Sequence, residues 1–285
     1  MNPYTDLVSG FARLVEDGRS LPLGGFPPAR RPKIAPDAPK ALFLAPHPDD
    51  ETTCGGLALR LMRQAQWNVI NAPVTLGTLP ERKAARLKEL QDACGYLGFG
   101  LAPLAPNGLD NVHPATRAKD PAAWSKKVDA VVKVLAEHRP RAVFFPHELD
   151  WNSTHIGVHY LVMDALKAMT DLKCYLVETE FWGQMQSPNL LVEYSTEEVA
   201  ELVAAASFHA GEVRRNPYHL LLPAWMQDNV RRGSELVGGQ GQAAARFLFA
   251  QVHRLRRWNG SQAEDYFPGG RLLPSAANAA GLFAL

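Results

Sequence analysis

Ala41-Leu42-Phe43-Leu44-Ala45-Pro46-His47-Pro48-Asp49-Asp50-Glu51 runs an unbroken apolar segment straight into a turn that crowds one imidazole beside three carboxylates. Five apolar residues ended by a proline have the length of a buried strand, not of a helix. Gly55-Gly56 follow, then Leu57, Leu61 and Met62 at helical spacing, so the reading is strand, turn, helix. Glycines at that point admit close backbone approach. A strand that delivers polar side chains to its carboxyl end describes the rim where open α/β sheets bind their ligands. Imidazole plus carboxylate suits a divalent metal such as zinc, and a spare carboxylate beside them suits a base that takes a proton from water.

The alternation continues outward from this stretch. Strand patterns fall at 40–45, within 67–76, and at 141–146, 173–180 and 189–194; helical patterns fall at 55–66, 80–97, 122–138, 155–169 and 196–209. Residues 98–121 read as loop, with a short strand near 101–104. The predicted class is α/β, a mainly parallel sheet with helices on both faces. Three segments are expected. Residues 1–39 form a proline-rich N-terminal arm, in which Phe11, Leu14 and Val15 line a short helix. Residues 40–210 form the catalytic domain. Residues 211–285 form an irregular extension that completes the pocket or makes subunit contacts. There, 214–241 is turn-rich, a last helix spans 242–257 through Phe247, Leu248, Val252 and Leu255, and 268–285 is a loose or docked tail.

Composition excludes several classes. A net charge of +1 leaves no basic footprint for nucleic acid. Cys54, Cys94 and Cys174 are scattered, which argues against a disulfide framework and fits a reducing compartment. No apolar run reaches the length of a membrane span, and the first residues lack a signal-peptide pattern, so a cytoplasmic protein is expected. Neither GxGxxG nor GxxxxGK[ST] follows the first strand, against nucleotide binding. The arm and tail are compatible with a homo-oligomer.

A second polar cluster repeats the arrangement of the first. Pro146-His147-Glu148-Leu149-Asp150-Trp151-Asn152-Ser153-Thr154-His155 follows the 141–146 strand and leads into a helix, with Ser153 or Thr154 as its N-cap. In a parallel sheet both strand ends emerge at one edge, so the clusters should meet. His47, Asp50 and His155 are then the candidate ligands and Asp49 the free carboxylate. Spacing alone leaves the choice between the adjacent aspartates open. Three protein ligands would leave a zinc ion an open position, as in catalytic sites. Glu51 is free to bond the next turn or an imidazole behind the ligands.

His47-Pro48-Asp49-Asp50-Glu51 with Gly55-Gly56, together with the Pro146–His155 cluster, resembles the two motifs of the PIG-L/LmbE-like zinc-dependent deacetylases. The likeness extends over roughly 40–210. It implies a Rossmann-like fold, one zinc or other divalent ion per chain, and removal of an N-acetyl group from a small amino-sugar substrate of the N-acetylglucosamine type. A related amidase acting on a thiol-conjugated sugar, and a non-catalytic metal-binding module, are the alternatives. By position it implies His47, Asp50 and His155 as ligands, Asp49 as base, and Arg82 and Arg86 in the stretch that contacts substrate. Many members carry a histidine where this chain has Asn152. Asn152 can donate to an oxyanion but cannot supply a proton. Asp49 is therefore expected to act as base and then acid, with His147 and His159 as further candidates. Trp182 is a candidate wall for the sugar, His113 lies in a loop that could line the entrance, and Arg214-Arg215-Asn216-Pro217-Tyr218 could bind an anionic substrate group.

Overall fold

The structure is a computed structural model that describes residues 2–29 and 31–283. Its first half comprises α1 (Thr5–Gly18), β1 (Lys40–Phe43), α2 (Asp50–Thr53), α3 (Gly56–Ala65), β2 (Asn68–Asn71), α4 (Pro80–Leu97), β3 (Gly100–Leu101), α5 (Pro114–Lys119) and α6 (Pro121–His138). Then come β4 (Ala142–Pro146), α7 (Ser153–Lys167), β5 (Cys174–Thr179), β6 (Leu190–Tyr194), α8 (Thr196–Ser207), α9 (Ala210–Val213) and α10 (Tyr218–Gly238). Three strands, β7 (Phe249–Trp258), β8 (Ala263–Asp265) and β9 (Arg271–Leu273), and a 3-10 turn at Ala279–Phe283 close the described chain.

The strands form one sheet in the order β3-β2-β1-β4-β5-β7-β6-β9, with β8 pairing the Arg256–Trp258 end of β7 that β6 does not reach. Every pairing is parallel except those of β7, which runs against β5, β6 and β8. Successive side chains of a strand point to opposite faces, and this sorts the core into two layers. Ala41, Phe43, Phe144, Tyr175 and Val177 pack on the face covered by α3, α4 and α8. Leu42, Leu44, Val143, Phe145 and Leu176 pack under α6 and α7. Continuous burial on both faces is why these strands read as unbroken apolar runs. The register of β1 against β4, Phe43 opposite Phe144, brings the turns that follow the two strands to the same edge.

The C-terminal third differs from expectation. The segment expected to be turn-rich is α10, 21 residues long, with Pro223 inside it. Its apolar spacing, Leu222, Met226, Val230 and Val237, is helical, but Pro223, Gly233 and the many polar residues obscure it. Gly233 is needed there, because a Cβ would lie 2.6 Å from Leu191 and 2.9 Å from Val252. The helix expected at 242–257 is instead the strand β7. Leu248, Val252 and Leu255 happen to repeat at helical intervals, yet Ala250 and Val252 pack with Leu191 and Val230, Leu255 joins one core layer and Trp258 the other. The tail is docked: Phe283 is buried against Trp67 and Tyr175, and buried Arg60 binds the carbonyls of Pro274, Ser275 and Ala277. The arm has its short helix, α1, with Phe11 and Leu14 exposed; beyond it Phe26 packs edge-on against Tyr96 and Phe208. No helix among the described residues is long and apolar enough to cross a membrane.

Candidate active site

The turn after β1 is held by its own carboxylates. The backbone N–H of His47 donates to Asp50 Oδ2 at 2.8 Å, and that of Asp49 donates to Glu51 Oε2 at 2.9 Å. Asp49 takes φ 127°, outside the usual range of a residue with a Cβ. Gly55 must be glycine, since a Cβ would collide with the Glu51 carbonyl oxygen. Glu51 is fully buried and its Oε1 meets His209 Nε2 at 2.7 Å. It braces the turn from behind. Against the effect of burial, the Glu51 charge raises the pKa of His209.

The second cluster reaches the same point. His155 lies in the first turn of α7, whose N-cap is Asn152 and not Ser153 or Thr154. Asn152 Oδ1 accepts from the N–H groups of Thr154 and His155 at 2.9 and 3.4 Å. His155 Nε2 lies 3.6 Å from Asp50 Oδ2, and His47 Nδ1 lies 3.7 Å from the same oxygen. Ligand atoms of His47, Asp50 and His155 all fall within 4.8 Å of one another. On its far side His155 Nδ1 faces Asp150 Oδ2 at 3.6 Å. Asp150 is fixed in turn by the N–H groups of Asn152, Trp182 and Gly183.

These groups fit a metal ion. His155 Nε2 is buried and has no hydrogen-bond partner among the described residues, which is costly for a ring nitrogen unless something else occupies its lone pair. A carboxylate behind the imidazole fixes the tautomer that leaves Nε2 free to ligate. His47, Asp50 and His155 supply the nitrogen and oxygen donors that zinc accepts. Burial works to raise the pKa of Asp50, but the His155 charge and the hydrogen bonds of His47 hold it below the usual carboxylate range. Asp49 behaves oppositely. Burial, then the adjacent Asp50 charge, pushes it up to about 6. Adjacent aspartates thus have opposite tendencies, the pattern that separates a ligand from a base.

Asp49 lines a cavity of about 170 Å³ with His47, Asp50, Arg86, Asn152 and Trp182, and its Oδ2 accepts from the hydroxyl of Tyr218 at 2.7 Å. His47 and Arg86 also line a neighbouring cavity of about 440 Å³, walled by Thr78, Lys83, Asp110, Asn111 and His113. Arg86 donates to the Pro48 carbonyl at 3.0 Å and lies 3.8 Å from Asp49. Trp182 is half exposed on the rim.

Three of the residues proposed from sequence lie elsewhere. Both ring nitrogens of His147 serve the backbone: Nε2 pairs with the Gly183 carbonyl at 2.8 Å, and Nδ1 accepts from Leu149 N–H at 3.3 Å. This ring staples two loops and is absent from the lining of either cavity. His159 is buried behind the site, with Nδ1 3.0 Å from the Pro146 carbonyl. Arg82 is directed to Glu89, 3.6 Å away. A second acidic group, Glu148, His159 and Glu178, could be mistaken for a metal site. Arg254 binds both glutamates and Arg256 binds Glu178, so two guanidiniums already balance the two carboxylates.

Sequence reasoning missed Asp150 as the group that orients His155, and Tyr218 as the partner of Asp49. Asp150 stood inside the quoted second cluster, but nothing in spacing tells an orienting carboxylate from a surface one. Tyr218, Arg215 and Asn216 line the small cavity, so the polar run flagged after residue 210 does reach the site.

Residues 42–166 match the family model described as PIG-L: GlcNAc-PI de-N-acetylase. Both motifs fall within the matched segment. That segment contains His47, Asp49, Asp50, Asn152 and His155; Trp182, Glu212, Arg215 and Tyr218 lie beyond it. No curated protein sequence matches the chain. Among solved structures, N,N'-diacetylchitobiose deacetylase from Pyrococcus horikoshii superposes with a TM-score of 0.57 at 15% identity, covering 88% of this chain and 92% of that one. A teicoplanin deacetylase, solved in a zinc-inhibited form, gives 0.55 at 15% identity over 78% of this chain and 100% of that one. The 4-carboxy-2-hydroxymuconate hydratase from Pseudomonas putida KT2440 gives 0.57 at 16% identity over 76% and 95%. At such identities the likeness is one of fold. A hydratase shares this fold, so the fold alone does not set the reaction.

Proposed function

We propose that this protein is a metal-dependent hydrolase that removes an N-acetyl group from an amino-sugar substrate. The observation that carries the reading is the unpartnered, buried His155 Nε2 facing Asp50 and His47, with the free carboxylate of Asp49 beside them. His47, Asp50 and His155 would hold a divalent ion such as zinc, which supplies Lewis acidity toward an amide carbonyl and toward water.

The remaining steps belong to the chain itself. Asp49, with a pKa raised toward neutrality, takes a proton from the attacking water and delivers it to the departing amine nitrogen. Asn152 spends its carbonyl oxygen on the helix cap and lines the cavity, which leaves its amide hydrogens available to donate to the oxygen that gains charge. With Asn152 unable to give up a proton and both nitrogens of His147 engaged by backbone, Asp49 carries base and acid roles together. Arg86 and Trp182 line the wall against which the sugar would rest, and the adjoining cavity has room for the substituent attached to it. The PIG-L match and the two deacetylases of like fold support an N-acetylated sugar over other amides.

The test is acetate release from a panel of N-acetylglucosamine derivatives, N,N'-diacetylchitobiose included, by zinc-loaded protein whose metal content is measured in parallel. Asp49→Asn should retain stoichiometric metal and lose roughly two to four orders of magnitude in rate. Stoichiometric metal without amide cleavage across the panel would sink the reading and leave a binding module.

A further inference from the structure

We propose that Tyr218, delivered by the first turn of α10 from outside the PIG-L segment, is a positioning residue that dedicates one oxygen of Asp49 to a hydrogen bond and leaves the other to move the proton. The inference rests on the reading of Asp49 as the base. The Tyr218 hydroxyl donates to Asp49 Oδ2 at 2.7 Å, the length of a strong, charge-assisted bond. Burial and the Asp49 charge drive the phenol pKa far above its ordinary value, so the hydroxyl remains a donor and never competes for the proton.

The ring cannot swing away freely. Phe181 packs edge-on against it at 6.3 Å, Trp225 of the same helix packs on Phe181 at 5.8 Å, and Tyr218 N–H donates to the Asn216 carbonyl at 2.7 Å. Asp49 needs such a constraint. Its backbone is at φ 127° and is tied by Glu51, which His209 holds in turn, while its carboxylate would be free to rotate about the Cβ–Cγ bond. Arg86 stands 3.8 Å from the same Oδ2 and adds charge on that side without a bond. Two groups therefore converge on Oδ2, and none of the described residues hydrogen-bonds Oδ1. A carboxylate with one oxygen fixed and one free presents a single, oriented lone pair, as a base requires.

Hydroxyl removal with the ring kept, Tyr218→Phe, is the informative change. The expected result is a kcat lowered roughly 10- to 100-fold, the usual effect of losing a group that orients a catalytic residue. KM and metal content should stay at wild-type values. In an Asp49→Asn background the same change should cost nothing further, because the two residues act as one unit. A raised KM with normal kcat would make Tyr218 a substrate contact, and losses that multiply with Asp49→Asn would make it independent of the base; either overturns the proposal. A crystal structure of Tyr218→Phe supplies a readout free of substrate choice: the Asp49 carboxylate should turn from its wild-type orientation, and an unmoved carboxylate refutes the claim. If wild-type protein cleaves nothing on the panel, the deacetylase reading fails by itself, while the paired crystal structures still decide whether Tyr218 orients Asp49.

Discussion

Asp49 combines a positive φ with a carboxylate buried beside another carboxylate, and both features oppose folding. Backbone strain of this kind costs about 1–3 kcal/mol and persists where the surroundings over-determine it, here through Glu51, His209 and Tyr218. The charge adds a pH-dependent cost. The folded protein holds a proton on Asp49 up to about pH 6, whereas the unfolded chain releases it near the ordinary value of 3.8. Between those values the folded state binds more protons, so this group's contribution to stability falls as pH rises through the window. Metal-free Asp49→Asn should therefore be more stable than metal-free wild type at pH 8, by roughly 1–3 kcal/mol. The gap should close as pH drops toward 4, as read from urea midpoints. A gap that does not change with pH would show that Asp49 is not the group in question. At this scale His47, Asp49 and Asp50 were legible together because they sit in one short turn, while His155 joined them only through the expectation that two strand ends meet at one edge. The sequence could not name Asp150 or Tyr218, whose roles depend on which atom faces which.

The elements divide in the same way. Strands β1, β4 and β5 are buried on both faces, and their apolar runs announce them. Strand β7 is buried too, yet it carries Gln251, His253, Arg254, Arg256 and Arg257. Those polar side chains break the run, while Leu248, Val252 and Leu255 fall at helical intervals by coincidence. What holds the strand is tertiary: Arg254 pairs with Glu148 and with Glu178 on the paired β5, Arg256 pairs with the same Glu178, and Gln251 donates to the Thr53 carbonyl beneath the first motif. No local window contains those partners, so propensity was overridden by packing. Leu255 is fully buried in the larger core layer, on one face of the sheet. Leu255→Ala should cost about 2–5 kcal/mol, as a lower urea midpoint with an unchanged slope. A surface helix at 242–257 would lose under 1 kcal/mol for the same change, so the measurement separates the two assignments.

At the scale of the molecule, the reversed strand β7 joins the C-terminal segment to the parallel sheet that bears the motifs, lying between β5 and β6. His253 marks that junction. It pairs with Thr179 on one side and Leu190 on the other, and it is buried on all sides. The Tyr194 hydroxyl is 3.5 Å from its Nε2. Burial pushes its pKa down to about 4 from the ordinary value of 6.5. The unfolded chain thus binds a proton that the folded protein refuses between those two values, and stability must fall as pH is lowered from about 6.5 to about 4. The full effect is on the order of 3 kcal/mol, a large share of the 5–15 kcal/mol typical of a folded domain. The carboxylates of the molecule add acid sensitivity of their own, so the comparison must be made against a variant. In His253→Gln the side chain keeps polar character without a titrating ring, and its stability curve should lose this component. Relative to the variant, wild type should become weaker by about 3 kcal/mol between pH 6.5 and pH 4 and by nothing further below that. Curves that run parallel across the window would mean that His253 accepts a proton within the folded sheet, and that the junction of the two segments is looser than its burial indicates.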